Sequence, residues 1–193
     1  MRSALAGRPG WALAADALGD AELRAGDAKA AEKAFRDAIK ASPKAARGHA
    51  GLGRALLAQG KLQAAEKALG KALELVPNSA PANMALAEVY AKTERIGEAI
   101  EQYKRAFDVN PRDPSGLLRG AKLALDEGRR NLASAYLDRL LKVHRESAAA
   151  FALYGDVMLS RGTKVKAREY YLRALGGKGE FDRKRVEQAL AEL

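Results

Sequence analysis

The stretch Ala46–Asn78 reads ARGHAGLGRALLAQGKLQAAEKALGKALELVPN. Its spacing predicts two helical segments, Ala46–Gln59 and Leu62–Val76, joined at Gly60 and closed by Pro77. Leu52, Gly53 and Leu56 share one face of the first segment, and Ala65, Leu69 and Ala72 share one face of the second. The pattern returns when the frame moves by 34 residues: Pro9, Pro43, Pro77 and Pro111 keep that spacing. Ala31, Ala65, Ala99, Ala133 and Ala167 hold one register, and Ala38, Ala72, Ala106 and Ala174 hold another. Gly26, Gly60, Gly128 and Gly162 hold a third. Independent registers on one period predict helix pairs that stack on their neighbours, an all-α solenoid.

These registers resemble the tetratricopeptide repeat (TPR) family. Gly19, Gly53 and Gly155 fall on its small position 8, Phe35, Tyr103 and Tyr171 on its aromatic position 24, and Pro43, Pro77 and Pro111 on its proline position 32. Leu69 and Leu137 stand where an aromatic is usual. The resemblance covers essentially the whole chain. It implies one domain over residues 1–193, a right-handed α-solenoid of about five helix-turn-helix repeats with a C-terminal capping helix. The repeats are 12–45, 46–79, 80–113, 114–147 and 148–181. The family serves many tasks, so the fold alone does not name a function.

Some repeats depart from the pattern. Glu94 replaces the interhelix glycine of the third, so that turn is expected to close without an easy left-handed residue. In the fourth, Gly120 stands where a large residue is usual and Arg145 replaces the closing proline. The fifth ends in the glycine-rich break Gly176-Gly177-Lys178-Gly179. Residues 182–193 read as the capping helix, with Asp182 as N-cap, Phe181 and Val186 as a hydrophobic staple, and Val186, Ala189, Leu190 and Leu193 on its apolar face. Residues 1–11 read as the end of a preceding repeat or a lead-in, because Met1–Pro9 aligns with Phe35–Pro43. On that reading the chain is a piece of a longer array. The outward edge of the first helix, with Leu13 and Leu18, is then expected to be uncovered and to support self-association.

The chain has 193 residues and a formal net charge of +10. It contains no cysteine, which removes disulfides, thiolate metal sites and cysteine nucleophiles, and suits either the cytoplasm or an oxidising space. No apolar run is long enough to span a membrane. The two histidines are far apart in the repeat frame: His49 sits at a packing position, and His144 reads as a solvated helix-end residue. No nucleophile–base pair, phosphate loop or metal-ligand spacing is found, so neither enzymatic activity, cofactor nor metal is expected.

The resemblance places the binding groove on the first helices. Among the residues carried over are Asp16, Asp20, Arg47, Arg54, Leu57, Met84, Glu88, Lys92, Leu118, Lys122, Asp126 and Asp156. The charges of the groove positions balance, acidic in the first repeat and basic in the second. The carboxylate-clamp residues of some family members are absent: Asp16, Asp20 and Gly51 occupy their places in one frame. Leu57, Met84 and Leu118 belong instead to an apolar strip flanked by charge, which suits a helix or extended segment of a partner protein. The excess positive charge gathers at the C-terminal end, in Lys164, Lys166, Arg168, Arg173, Arg183, Lys184 and Arg185 with Arg161 and Lys178. The expected function is a non-enzymatic scaffold that binds a protein segment. The alternative is binding of nucleic acid or an anionic surface through the basic patch.

Overall fold

The computed structural model describes residues 9–193. The reading of residues 1–8 as the end of an earlier helix lies outside the described residues. The helices are α1 (Pro9–Ala25), α2 (Ala28–Ala41), α3 (Ala46–Ala58), α4 (Leu62–Leu75), α5 (Ala80–Lys92), α6 (Ile96–Val109), α7 (Ser115–Asp126), α8 (Arg130–Val143), α9 (Ala148–Ser160), α10 (Lys164–Gly176) and α11 (Arg183–Ala191). Among the described residues there is no strand. The helices group into two compact units, one ending at Val109 and one spanning Asn110–Leu193.

Within each unit, helices pack as antiparallel pairs: α1 with α2, α3 with α4 and α5 with α6 in the first, α7 with α8 and α9 with α10 in the second. Small residues make this close packing possible. Ala31, Ala65, Ala99, Ala133 and Ala167 are all fully buried. A Cβ on Gly19 would come within 2.7 Å of the Phe35 ring, one on Gly53 within 2.4 Å of Leu69, and one on Gly155 within 2.3 Å of Tyr171. The missing side chain at position 8 is therefore the seat of the large side chain at position 24.

The turn inside each of the five helix pairs closes with the same bond. The backbone N–H groups of Asp27, Lys61, Arg95, Arg129 and Thr163 donate to the carbonyls of Glu22, Leu56, Tyr90, Ala124 and Met158, at 2.8–3.0 Å. This is the six-to-one bond of a Schellman motif, and it needs a left-handed residue one place before the donor. Gly26, Gly60, Gly128 and Gly162 supply it with φ between +70° and +85°. In the third turn Glu94 adopts the same conformation, φ +60°. The turn thus closes without an easy left-handed residue, and the packing of α5 on α6 holds the conformation on a side chain that disfavours it. Replacing Glu94 with glycine is expected to raise stability by about 1 kcal/mol, read as a higher thermal midpoint. A lower midpoint would mean that the glutamate is not strained.

The end of the second unit differs from expectation in one respect. Residues 176–179 do more than interrupt a helix. The Lys178 N–H donates to the Glu146 carbonyl at 2.6 Å, and the Ala148 N–H donates to the Lys178 carbonyl at 2.9 Å. A Cβ on Gly177 would lie 2.9 Å from the Ala148 Cα, so glycine is required for this close approach. The segment thus crosses back onto the linker between α8 and α9, where Arg145 replaced the proline. Asp182 caps α11 by accepting from the Arg185 N–H at 3.0 Å, and Val186 is fully buried beneath it.

Candidate functional site

In the first unit, α1, α3 and α5 each contribute side chains to one face. A cavity of about 550 Å³ there is lined by Leu23, Arg54, Leu57, Ala58, Pro81, Met84, Ala85, Glu88 and Lys92. A second of about 430 Å³ continues it past Arg54 and Pro81, with Asp20, Arg47, Ala50 and Val76 among its walls. The structure therefore brings together seven of the residues expected in the groove: Asp20, Arg47, Arg54, Leu57, Met84, Glu88 and Lys92. Leu57 and Met84 supply the apolar floor, while Glu88 and Lys92 stand one and two turns further along α5.

The charges on this face are largely committed to each other. Asp20 accepts from Arg47 through Oδ2 at 2.8 Å and from Arg54 through Oδ1 at 3.0 Å. One carboxylate thus ties α1 to α3 at two levels, and Arg54 lies 34 residues after its partner. Lys92 is exposed and forms no ion pair among the described residues.

Asp16 does not belong to the surface of the groove. It is only 2% exposed, and its Oδ1 has no hydrogen-bond partner among the described residues. Gly48 packs over it: a Cβ there would lie 3.5 Å from Oδ1. Burial pushes the carboxyl up from its ordinary 3.8, Arg47 pulls it down, and Asp20 pushes it up further. The folded protein therefore holds this proton more tightly than the unfolded chain does. Its contribution is most favourable below pH 3.8 and is lost as pH rises through the raised value. Asp16→Asn is expected to stabilise the chain by about 1 kcal/mol at neutral pH. Urea melts should show that gain shrinking as the pH falls toward 4. A gain independent of pH would contradict the assignment.

A second buried carboxylate is fully partnered. Glu32 is 6% exposed. It accepts from Lys61 at 3.0 Å and Gln59 at 2.6 Å, and it also pairs with Arg36. The hydrogen bond from Lys61 leads the causes that hold its carboxyl below the ordinary value. One period on, Arg95 donates to Glu66 at 2.6 Å. These bonds join α2 and α4 to the turns inside the helix pairs that follow them and are structural.

In the second unit, Leu118 is half-buried, and Lys122 and Asp126 pair with each other along α7. Leu118 lines a cavity of about 390 Å³ with Ala149, His144, Lys178 and Glu180. His144 is not a solvated end residue. It is half-buried, and its Nε2 donates to the Pro111 carbonyl at 2.8 Å, much as His49 Nε2 donates to Pro43 at 2.9 Å. Asp156 is likewise engaged, accepting from the Tyr171 hydroxyl at 2.8 Å and from Arg185 at 2.7 Å. Burial, with Asp156 beside it, pushes the Tyr171 hydroxyl well above its usual range. Arg185 is thus removed from the basic patch: it holds the capping helix to α9. Within the patch, Arg173 stands 4.1 Å over the Phe151 ring, and Arg183 donates to the Leu175 carbonyl at 3.1 Å. Lys164, Lys166, Arg168 and Lys184 are exposed without a partner among the described residues.

Among the described residues no group of three or more His, Cys, Asp or Glu side chains could hold a metal ion, and no helix is long and apolar enough to cross a membrane. A tetratricopeptide repeat model matches residues 17–80 and 118–184, and a second matches 56–119. The chain belongs to the tetratricopeptide repeat family, whose members typically serve as interaction modules. No curated protein matches the sequence. Among solved structures, Pseudomonas aeruginosa PilF aligns with a TM-score of 0.75 at 20% identity, covering 94% of this chain and 87% of that one. MamA aligns at 0.71 with 20% identity, covering 91% of this chain and 98% of that one. YrrB, described as a TPR protein with an unusual peptide-binding site, aligns at 0.68 with 18% identity and covers 91% and 89%. Identities this low establish the shared fold alone.

Proposed function

We propose that this chain is a protein-interaction scaffold that holds an extended or helical segment of a partner on the first-helix face of its first unit. The observation that carries the reading is the cavity of about 550 Å³ in which Leu57 and Met84 lie between Arg54, Glu88 and Lys92. An apolar floor with charged walls suits an apolar anchor flanked by charge, with an acidic residue toward Lys92. That YrrB, of similar fold, is described as having a peptide-binding site supports the class of ligand.

Selection from a random-peptide library tests the proposal, because the partner need not be known. Selected peptides should carry an apolar anchor, and Met84→Glu with Lys92→Glu should weaken them at least ~10-fold, about 1.4 kcal/mol. Arg54 is a poorer target, since reversing it would set two carboxylates together at Asp20. Peptides that bind the double variant as well as the parent would remove the site. Separately, Trp11 and Leu18, seven residues apart on one line of α1, are 45% and 53% exposed. We propose self-association through that edge, which light scattering over a concentration series reads directly.

A further inference from the structure

Helix α10 packs Ala167, Tyr171 and Ala174 against α9, and all three are fully buried. At about 100° per residue, the side opposite them carries Val165, Glu169 and Leu172, with the glutamate between the two apolar side chains. Val165 and Leu172 are 85% and 54% exposed. The fold does not require apolar residues there. The same register holds Lys29, Gln63, Gly97 and Asn131 in place of Val165 in the other second helices. It holds Arg36, Gly70, Lys104 and Asp138 in place of Leu172. Only the last second helix makes both positions apolar.

Cations flank the line on both sides. Lys164 and Arg168 border it on one edge, Lys166 and Arg173 on the other, and Glu169 is the one acid on the face. Lys164, Lys166 and Arg168 have no partner among the described residues, so their charge is available. Arg173 is held in place by the rings of Phe151 and Tyr170, at 4.1 and 5.5 Å. Two outward apolar side chains with cations along both borders and a single acid between them are the layout of a helix lying in a membrane interface. Single-stranded nucleic acid would need free aromatic faces. Tyr170 instead stacks on Tyr154 at 4.6 Å, with Arg173 over it. A protruding line on one helix also offers a partner protein less area than a stable interface buries.

We propose that the outer face of α10 is a membrane-surface contact specific for anionic phospholipid, with Val165 and Leu172 entering the headgroup boundary and Lys164, Lys166, Arg168 and Arg173 meeting lipid phosphates. This is independent of the peptide groove in the first unit.

The test is cosedimentation of the full chain with phosphatidylcholine vesicles, with and without about one third phosphatidylglycerol. Binding should require the anionic lipid and fall at least tenfold when salt rises from about 0.05 to about 0.5 M. Both Val165→Ser with Leu172→Ser, and Lys164→Glu with Lys166→Glu and Arg168→Glu, should reduce it at least tenfold with unchanged melting. Met84→Glu should leave it intact, which keeps failure here distinct from failure of the groove. Since the chain lacks cysteine, an environment-sensitive dye on Glu169→Cys should shift to the blue with anionic vesicles only. The proposal is overturned by absence of vesicle binding, or by binding that ignores Val165→Ser with Leu172→Ser. Preference for duplex DNA at equal phosphate concentration would overturn it in favour of a nucleic-acid face.

Discussion

Phe35→Ala is expected to cost about 3–5 kcal/mol, the largest loss of any single substitution considered for the first unit. The ring is fully buried. It is wedged between two glycines: a Cβ on Gly19 would come within 2.7 Å of it and one on Gly51 within 2.2 Å. Phe35 therefore fills the space between its own first helix and the first helix of the next repeat, and alanine would leave a cavity against both. Because repeats are coupled through their neighbours, the loss should be local. In hydrogen exchange the amides of α1 and α2 should lose protection while those of α5 and α6 keep it. A urea midpoint equivalent to less than about 1 kcal/mol of loss would refute the wedge. Gly51 should also accept alanine more readily once Phe35 is leucine, since Leu69 faces Ala85 at the same places in the next repeat.

Ala65→Leu should cost about 1–3 kcal/mol through overpacking. Ala65 is fully buried in a cluster with Leu56, Leu69, Ala72, Ala82, Leu86 and Val89. Its carbonyl lies 3.3 Å from where a Cβ on Gly53 would stand, so the backbones of α3 and α4 are already close. The extra atoms have no room unless the helices separate. A denaturation curve with a lower midpoint and unchanged slope is the expected result. An unchanged midpoint would show that α3 and α4 can part without cost.

The period made the helices, the glycine turns and the buried alanines legible, because each depends on residues at fixed spacing. It did not reveal what becomes of the charges. Counting ions on the first helices found a balance, but Asp20 accepting from both Arg47 and Arg54 needs α1 and α3 at a particular height. Asp16 looked like its groove neighbours because a register cannot report that Gly48 leaves room for α3 to settle over it. Arg185 counted as one more cation in a basic run until the capping helix placed it on Asp156. Glu94 was visible as a departure, yet its conformation is set by the helices on either side. The one informative signal passed over was Val165 and Leu172, visible by comparing the same register across the five second helices.

The bonds that repeat at 34-residue intervals have a genetic consequence. Glu32 reaches Lys61, and Glu66 reaches Arg95, by the same geometry one period apart. Removing residues 33–66 from the gene would place Arg95 where Lys61 had been and Leu69 where Phe35 had been. Glu32 would recover a cation, Gly19 would face a smaller but still apolar side chain, and the turn would close on Glu94 rather than Gly60. An unequal crossover of one whole period therefore yields a shorter protein that keeps the helix-to-turn bond and the buried apolar contact, while Asp20 exchanges Arg47 and Arg54 for Pro81 and Glu88. A crossover one residue out of step breaks the helix-to-turn bond and the buried contact as well. Loci of this kind are expected to change length in whole steps.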